Sequence, residues 1–370
     1  MKHVPIQFIT IFTMPTFEEH DVGYADNKNI HYLAAGPVNG PLLIFVHGWP
    51  AIALAWKPQL EAFSALGFRA IAPDMPGYGK STARKVIEDY SQQSILEGLL
   101  ALLAHTGRKE AIWIGHDWGS PCVSTVAAQH PEVVKALVNV CVPYRTLDLG
   151  LNNILAFVDR QVYPEDQYPY GQWDYMRHYE EDFEKSIAWY EKDIEGINKA
   201  LWQPGKPVYP PKPTFTATVR KDGGWFGGIP KPPSPDQLPA PLLEGDVFDE
   251  FTKAMKKTGY WPGSAYYMNH ERNHEFNSKA PNDGKFEKPA LLIHAAFDYV
   301  CETKTTRVAE PMRQACSNLT EVTVQAGHWA NMEKPAETSA ALSRFIIEEV
   351  PDYWPGFWES GYTKREKSVL

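Results

Sequence analysis

The chain has 370 residues, 44% of them hydrophobic and 13% aromatic, with a formal net charge of -9. That length and apolar content predict one large domain carrying an insertion, or two domains, with a sizeable buried core. Net negative charge disfavours nucleic acid and anionic membranes as partners, and the 12 Trp and 18 Tyr favour aromatic-lined pockets for a neutral or apolar small molecule.

Residues 1–16 contain the apolar Phe8-Ile9-Thr10-Ile11-Phe12 but no basic leader, long apolar run or small-residue cleavage site, so no secretory signal is expected. No run approaches the ~18 apolar residues that span a bilayer. Cys122, Cys141, Cys301 and Cys316 lie far apart without Cys-x-x-Cys spacing, which predicts reduced thiols in a cytoplasmic protein. The final Ser368-Val369-Leu370 has Val where a peroxisomal tripeptide needs Lys, so that address is not expected.

After a strand-like Ile30-His31-Tyr32-Leu33, the continuous apolar run Leu42 to Val46 suits a parallel strand covered on both faces, and it ends in His47-Gly48-Trp49-Pro50. Arg69 to Asp74 predicts a second buried strand before the turn-rich Pro76 to Ser81. Apolar spacing at Ile95, Leu99, Leu102 and Leu103 predicts a helix within 90–106 that stops near Gly107. Ala111 to Ile114 is a further strand, running into Gly115-His116-Asp117-Trp118-Gly119 and a small-residue helix over 120–129. Strand runs recur at Ala136 to Val142, Ala290 to Ala295 and Val322 to Val324. Strands alternating with helices predict an α/β fold: an open, mostly parallel sheet with helices on both faces.

Between Tyr144 and about Lys285 the strand pattern disappears. Helices are expected over 182–202 and 244–257, and eleven prolines with a Gly-rich centre make 204–241 a long surface excursion without regular structure. Apolar Trp225 and Phe226 inside it point to a lid with substrate contacts. The expected division is therefore a core of residues 1–143 and 285–370, with an inserted, mainly helical cap over 144–284.

The chemistry centres on Asp117. A strand, a sharp turn flanked by Gly115 and Gly119, and a helix make a nucleophile elbow with aspartate at its tip. The amides of Trp49 and Trp118 are placed to form an oxyanion hole; His47, Gly48 and Pro50 build the turn that carries the first of them. Asp298 ends the Ala290 strand and His328 follows the last strand, giving the chain order nucleophile, acid, histidine. Aspartate suits electrophiles that alkylate, because attack at saturated carbon leaves an ester, which activated water can cleave; serine would leave an inert ether.

These motifs resemble the epoxide hydrolases of the α/β-hydrolase fold family, in particular the hydrolase domain of the soluble enzymes. The resemblance rests on His47-Gly48-Trp49-Pro50, Gly115 to Gly119, Asp298 and Gly327-His328, and it continues into the insertion. There it implies two tyrosines that donate hydrogen bonds to the epoxide oxygen. Tyr267, within Tyr266 to Asn273, matches one, although Tyr266 and Met268 stand where the family commonly has Trp and Arg. Tyr175 matches the other, with Tyr179 one helical turn away as its rival. The resemblance implies a small apolar epoxide and water as reactants, no cofactor and no metal. The phosphatase domain that precedes the hydrolase in some members is not expected, since residue 42 already lies in a core strand. A haloalkane or haloacid dehalogenase would share the aspartate, but commonly has Asn after His-Gly where this chain has Trp49. A non-catalytic ligand receptor on the same fold would tolerate loss of a triad member, and none is missing. The sequence assigns no oligomeric state.

Overall fold

The computed structural model describes residues 17–207, 212–243 and 245–355. The Phe8 to Phe12 run and the Ser368 to Leu370 terminus lie outside the described residues. Eight strands form one sheet: β1 (Glu18–Tyr24), β2 (Lys28–Ala35), β3 (Leu42–Val46), β4 (Arg69–Pro73), β5 (Ala111–His116), β6 (Val134–Val140), β7 (Ala290–Ala295) and β8 (Leu319–Val324). Their spatial order is β1-β2-β4-β3-β5-β6-β7-β8, with β1 and β2 joined antiparallel and β3 through β8 parallel. The open, mostly parallel sheet expected from the sequence is present. The edge strand β1 had no sequence signal, because its residues Glu-Glu-His-Asp-Val-Gly-Tyr are largely exposed and polar.

Every residue of β3, β4, β5 and β7 is buried, as continuous apolar runs require when helices cover both faces. Helices α1 (Lys57–Ala65), α2 (Gln92–His105) and α3 (Gly119–Gln129) pack around the sheet within two apolar clusters, one on either side. Burying each such Leu, Ile or Phe contributes about 1.5–3 kcal/mol, so the central strands hold the frame of the site rigidly.

Parallel register sets where the loops emerge. Val46 pairs with Gly115, His116 with Val140, Val140 with Ile293, and Ala295 with Val324, so the strands end in line. The loops carrying residues 47–50, 117, 141, 298 and 328 therefore share one sheet edge, where ligands bind in open α/β sheets.

Among the described residues no strand lies between β6 and β7. The helix expected over 182–202 is instead two: Asp174–Tyr190, with a non-helical residue at Asp182, and Ile194–Leu201. The break falls where the Asp193 carboxylate accepts from the Gly196 amide and caps a new helix, a local competition that periodicity does not register. Among its described residues the Pro-rich excursion holds only short turns, such as Phe215–Ala217 and Trp225–Gly228. It is not a purely surface feature, since Thr216, Ala217, Val219 and Trp225 are buried. No helix of the described residues is long and apolar enough to cross a membrane.

Candidate active site

Asp117 sits at the tip of the β5-to-α3 turn with a φ of 51°, a left-handed backbone that few side chains adopt, and is 6% exposed. The turn is possible because glycines surround it. A methyl on Gly119 would stand 2.1 Å from the Val46 carbonyl oxygen, and one on Gly48 would stand 2.3 Å from Asp117 Oδ1 and 2.5 Å from the Trp118 amide nitrogen. Gly48→Ala should displace the loop against the nucleophile and lower kcat/KM by about 100-fold, the usual consequence of a misplacement near 1 Å, while thermal unfolding still reports a folded protein. Kinetics within a few-fold of the parent would show that the close approach is dispensable.

The carboxylate of Asp117 is held from two sides. The Trp49 amide donates to Oδ1 at 2.5 Å, and His328 Nε2 lies 3.2 Å from Oδ2. On its other side His328 Nδ1 donates to Asp298 Oδ2 at 2.9 Å, while Asp298 Oδ1 accepts from the amides of Val300 and Cys301. The Trp49-Pro50 peptide is cis. His47 is wholly occupied within its turn: Nδ1 donates to the Gly48 carbonyl and Nε2 accepts from the Met75 amide, both at 2.9 Å. Burial lowers its pKa to about 4, so it stays neutral and supports the backbone.

Electrostatics set Asp298 and His328 apart. Burial pushes the Asp298 carboxyl up, but the His328 charge and the three hydrogen bonds outweigh it and hold the group below the usual carboxylate range. For His328, burial works against the charged form, yet the Asp298 and Asp117 carboxylates reverse the balance and raise its pKa to about 10. In the free protein His328 is thus held as an imidazolium near neutral pH.

Two side chains without any sequence signal fix the backbone of His328. His116 Nε2 donates to its carbonyl at 2.6 Å and the Cys141 thiol donates at 3.2 Å. Burial, then the charge of His328, lowers the His116 pKa to about 4, which keeps that ring neutral. Cys141 reaches this carbonyl because it directly follows β6 with a φ of 72°. Glu333 adds a further tie, accepting from the amides of Gly327 at 2.8 Å and Gly205 at 3.0 Å, and so fastens the start of the Pro-rich excursion to the histidine loop.

Above Asp117 lies a cavity of about 290 Å³ lined by Trp49, Tyr175, Trp225, Tyr267, His328 and Trp329, among others. Tyr175 and Tyr267 both reach it, with ring centroids 5.8 Å apart. Tyr179 does not line it; its ring stacks on Tyr267 at 4.5 Å and its hydroxyl is shared with Tyr190 at 2.6 Å. Trp225 lines the cavity, whereas Phe226 stacks on Trp189 and Phe215 outside it, so only one of the two lid aromatics expected to contact substrate faces the cavity. Phe226 points away because it adopts a φ of 54° within the turn. Burial raises the pKa of both Tyr175 and Tyr267 well above the ordinary phenol value, so each keeps its proton.

Comparison with known proteins identifies the family and the fold. The family described as alpha/beta hydrolase fold matches residues 41–215. Epoxide hydrolase A of Mycobacterium tuberculosis is 30% identical over 86% of this chain and 94% of its own length. Bifunctional epoxide hydrolase 2 of Sus scrofa is 28% identical, and the chain spans only 52% of that longer protein. Among solved structures, epoxide hydrolase A from Mycobacterium thermoresistibile superposes with a TM-score of 0.71 and 26% identity, covering 90% of this chain and 99% of that one.

Proposed function

The chain belongs to the epoxide hydrolases of the α/β-hydrolase fold, and from that membership we propose that it converts an epoxide and water to a vicinal diol through a covalent ester on Asp117. The observation that carries this reading is the double hold on the Asp117 carboxylate, by the Trp49 amide and by His328, beneath a cavity that two protonated phenols enter. Asp117 Oδ2 attacks an epoxide carbon while Tyr175 and Tyr267 donate to the ring oxygen, which would otherwise leave as a strongly basic alkoxide. The product of this step is an alkyl ester and an alkoxide held by the two phenols.

Esterification then changes His328. Neutralising Asp117 removes one of the two carboxylates that hold the imidazolium, so the pKa of His328 falls and its proton can pass to the oxygen of the opened ring. Neutral His328 next takes a proton from water, and the hydroxide formed adds to the carbonyl carbon of Asp117. Negative charge develops on Oδ1, where the Trp49 amide already donates and the Trp118 amide lies adjacent. Collapse releases the diol and restores carboxylate and imidazolium, so the proton count closes over one cycle. Asp298 keeps the imidazole oriented throughout.

The segment 144–284 acts as a cap over a core of 1–143 and 285–370. It is supported there by bonds such as Trp202 Nε1 to the Pro50 carbonyl and the Tyr266 hydroxyl to the Pro76 carbonyl. An epoxide is favoured over an alkyl halide because two phenols enter the cavity, while the Trp49 indole N–H is already given to Ser264 Oγ. The cavity lining implies an apolar substrate. Four buried, unpaired cysteines support a reducing, cytoplasmic setting.

Turnover of a styrene-oxide-type epoxide against a bromoalkane tests the reaction class: diol formation is expected, and halide release without diol would overturn it. Tyr267→Phe or Tyr175→Phe alone should lower the alkylation rate about 10-fold to 100-fold, because one donor remains, and the double variant about 1,000-fold or more. Stopped-flow quenching of the cavity tryptophans reads the alkylation step directly. An unchanged rate in the double variant would remove both phenols from the mechanism.

A further inference from the structure

Leu201, Gln203, Pro204, Gly205 and Lys206, where the cap enters its Pro-rich excursion, line the cavity above Asp117. Segment 201–206 is also tied to the loops that carry the chemistry. The Trp329 indole donates to the Leu201 carbonyl at 2.8 Å, and the Trp202 indole to the Pro50 carbonyl at 3.0 Å. The third tie is the tightest, because Glu333 Oε2 accepts from the Gly205 amide at 3.0 Å and from the Gly327 amide at 2.8 Å. One carboxylate oxygen thus bridges two backbones. Beneath it the two glycines touch: a methyl on Gly205 would stand 2.2 Å from the Gly327 Cα, and one on Gly327 would stand 2.4 Å from the Gly205 Cα. Neither backbone can shift far without breaking a charge-assisted hydrogen bond, which is roughly twice as strong as a neutral one. Gly327 immediately precedes His328, whose ring must keep its place between Asp298 and Asp117. His116 and Cys141 hold the carbonyl of His328 from the core, and the bond to Gly205 extends that support into the cap.

We propose that Glu333 and Gly205 are positioning residues for the hydrolytic half-reaction, the cap holding His328 in line for water activation through the Glu333 bridge. The two half-reactions ask different things of His328. Alkylation needs the Asp117 carboxylate and the cavity phenols, whereas ester hydrolysis needs the imidazole within hydrogen-bond reach of a water beside the Asp117 carbonyl carbon. Loosening Gly327 therefore slows hydrolysis far more than alkylation. This role deepens the epoxide-hydrolase reading and rests on its covalent ester.

The test reads the half-reactions separately with a styrene-oxide-type epoxide, alkylation by tryptophan quenching and hydrolysis by its recovery, with mass analysis of the peptide containing Asp117 during turnover. Glu333→Ala should slow hydrolysis about 10-fold to 100-fold, the cost of a catalytic group misplaced by up to 1 Å, and leave alkylation within about threefold of the parent. Esterified Asp117 should accumulate. Glu333→Gln keeps a carbonyl oxygen that can accept from both amides and should recover most of the lost rate. Gly205→Ala breaks the bridge from the cap side with Glu333 intact, so it should reproduce the selective hydrolytic defect. Should that variant not fold, amide hydrogen exchange decides: Gly205 and Gly327 should both be protected in the parent, and both should exchange faster in Glu333→Ala. Normal hydrolysis in Glu333→Ala or in folded Gly205→Ala, equal slowing of both half-reactions, or a Gly205 amide that exchanges freely in the parent would overturn the bridge and leave the reaction class intact. Turnover of epoxide by the parent without any ester on Asp117 would remove the ester reading, and the bridge's role with it.

Discussion

Asp117→Ala is expected to lose turnover by at least about 10,000-fold, with no burst of product and no covalent adduct on the protein, because removing a nucleophile usually removes nearly all chemical rate enhancement. The structure gives this loss a specific cause. The Trp49 amide and His328 both aim at the Asp117 carboxylate, so the variant leaves an imidazolium and a backbone donor without their shared partner. Asp298 cannot substitute, being bound to His328 and to two backbone amides and only 1% exposed. Mass analysis of the intact variant after incubation with substrate checks the adduct, and steady-state assay of diol checks the rate. Residual activity within 100-fold of the parent, without adduct, would mean that water attacks the epoxide directly and that Asp117 only stabilises charge.

His328→Ala should behave differently, and the difference separates the two half-reactions. Attack by Asp117 needs the carboxylate and the tyrosines, so alkylation should proceed, though more slowly, since the proton for the opened ring no longer comes from His328. Hydrolysis needs a base beside the ester carbonyl, and among the described residues none replaces the imidazole: His116 is committed to the His328 carbonyl and stays neutral with a pKa of about 4. The ester should therefore accumulate, giving near-stoichiometric labelling of Asp117 and a multiple-turnover rate reduced by at least about 1,000-fold. Near-normal multiple turnover would take His328 out of the mechanism. The parent enzyme adds a pH dependence of defined sign. Once the ester forms, the pKa of His328 falls from about 10, so hydrolysis should slow as pH drops and His328 is held protonated.

The sheet was legible wherever strands are covered on both faces, because Leu42 to Val46 and Ala111 to Ile114 are apolar without alternation and admit few other placements. Polar β1 was not, since an exposed edge strand needs no apolar pattern. Asp117, Asp298 and His328 were legible as a set, because strand-end position and chain order constrain them together. The contacts that fix the histidine were not. His116 looks like a filler between Gly115 and Asp117, and Cys141 like one more residue of a core strand, until its positive φ turns the thiol toward the His328 carbonyl. The cap was legible as a region but not in its particulars. Tyr175 and Tyr179 share one helix face by spacing, and only packing assigns Tyr175 to the cavity and Tyr179 to the stack behind Tyr267. Trp225 and Phe226 are adjacent in sequence, yet only Trp225 lines the cavity, Phe226 taking a φ of 54° in the glycine-rich turn that holds them.

The covalent ester is the central claim, and a single turnover in water enriched in heavy oxygen tests it most directly. With enzyme in excess over epoxide, one labelled oxygen should appear in the peptide containing Asp117 and none in the diol, because water adds to the Asp117 carbonyl carbon and the diol takes its second oxygen from the carboxylate. Label in the diol alone, with Asp117 unlabelled, would contradict it.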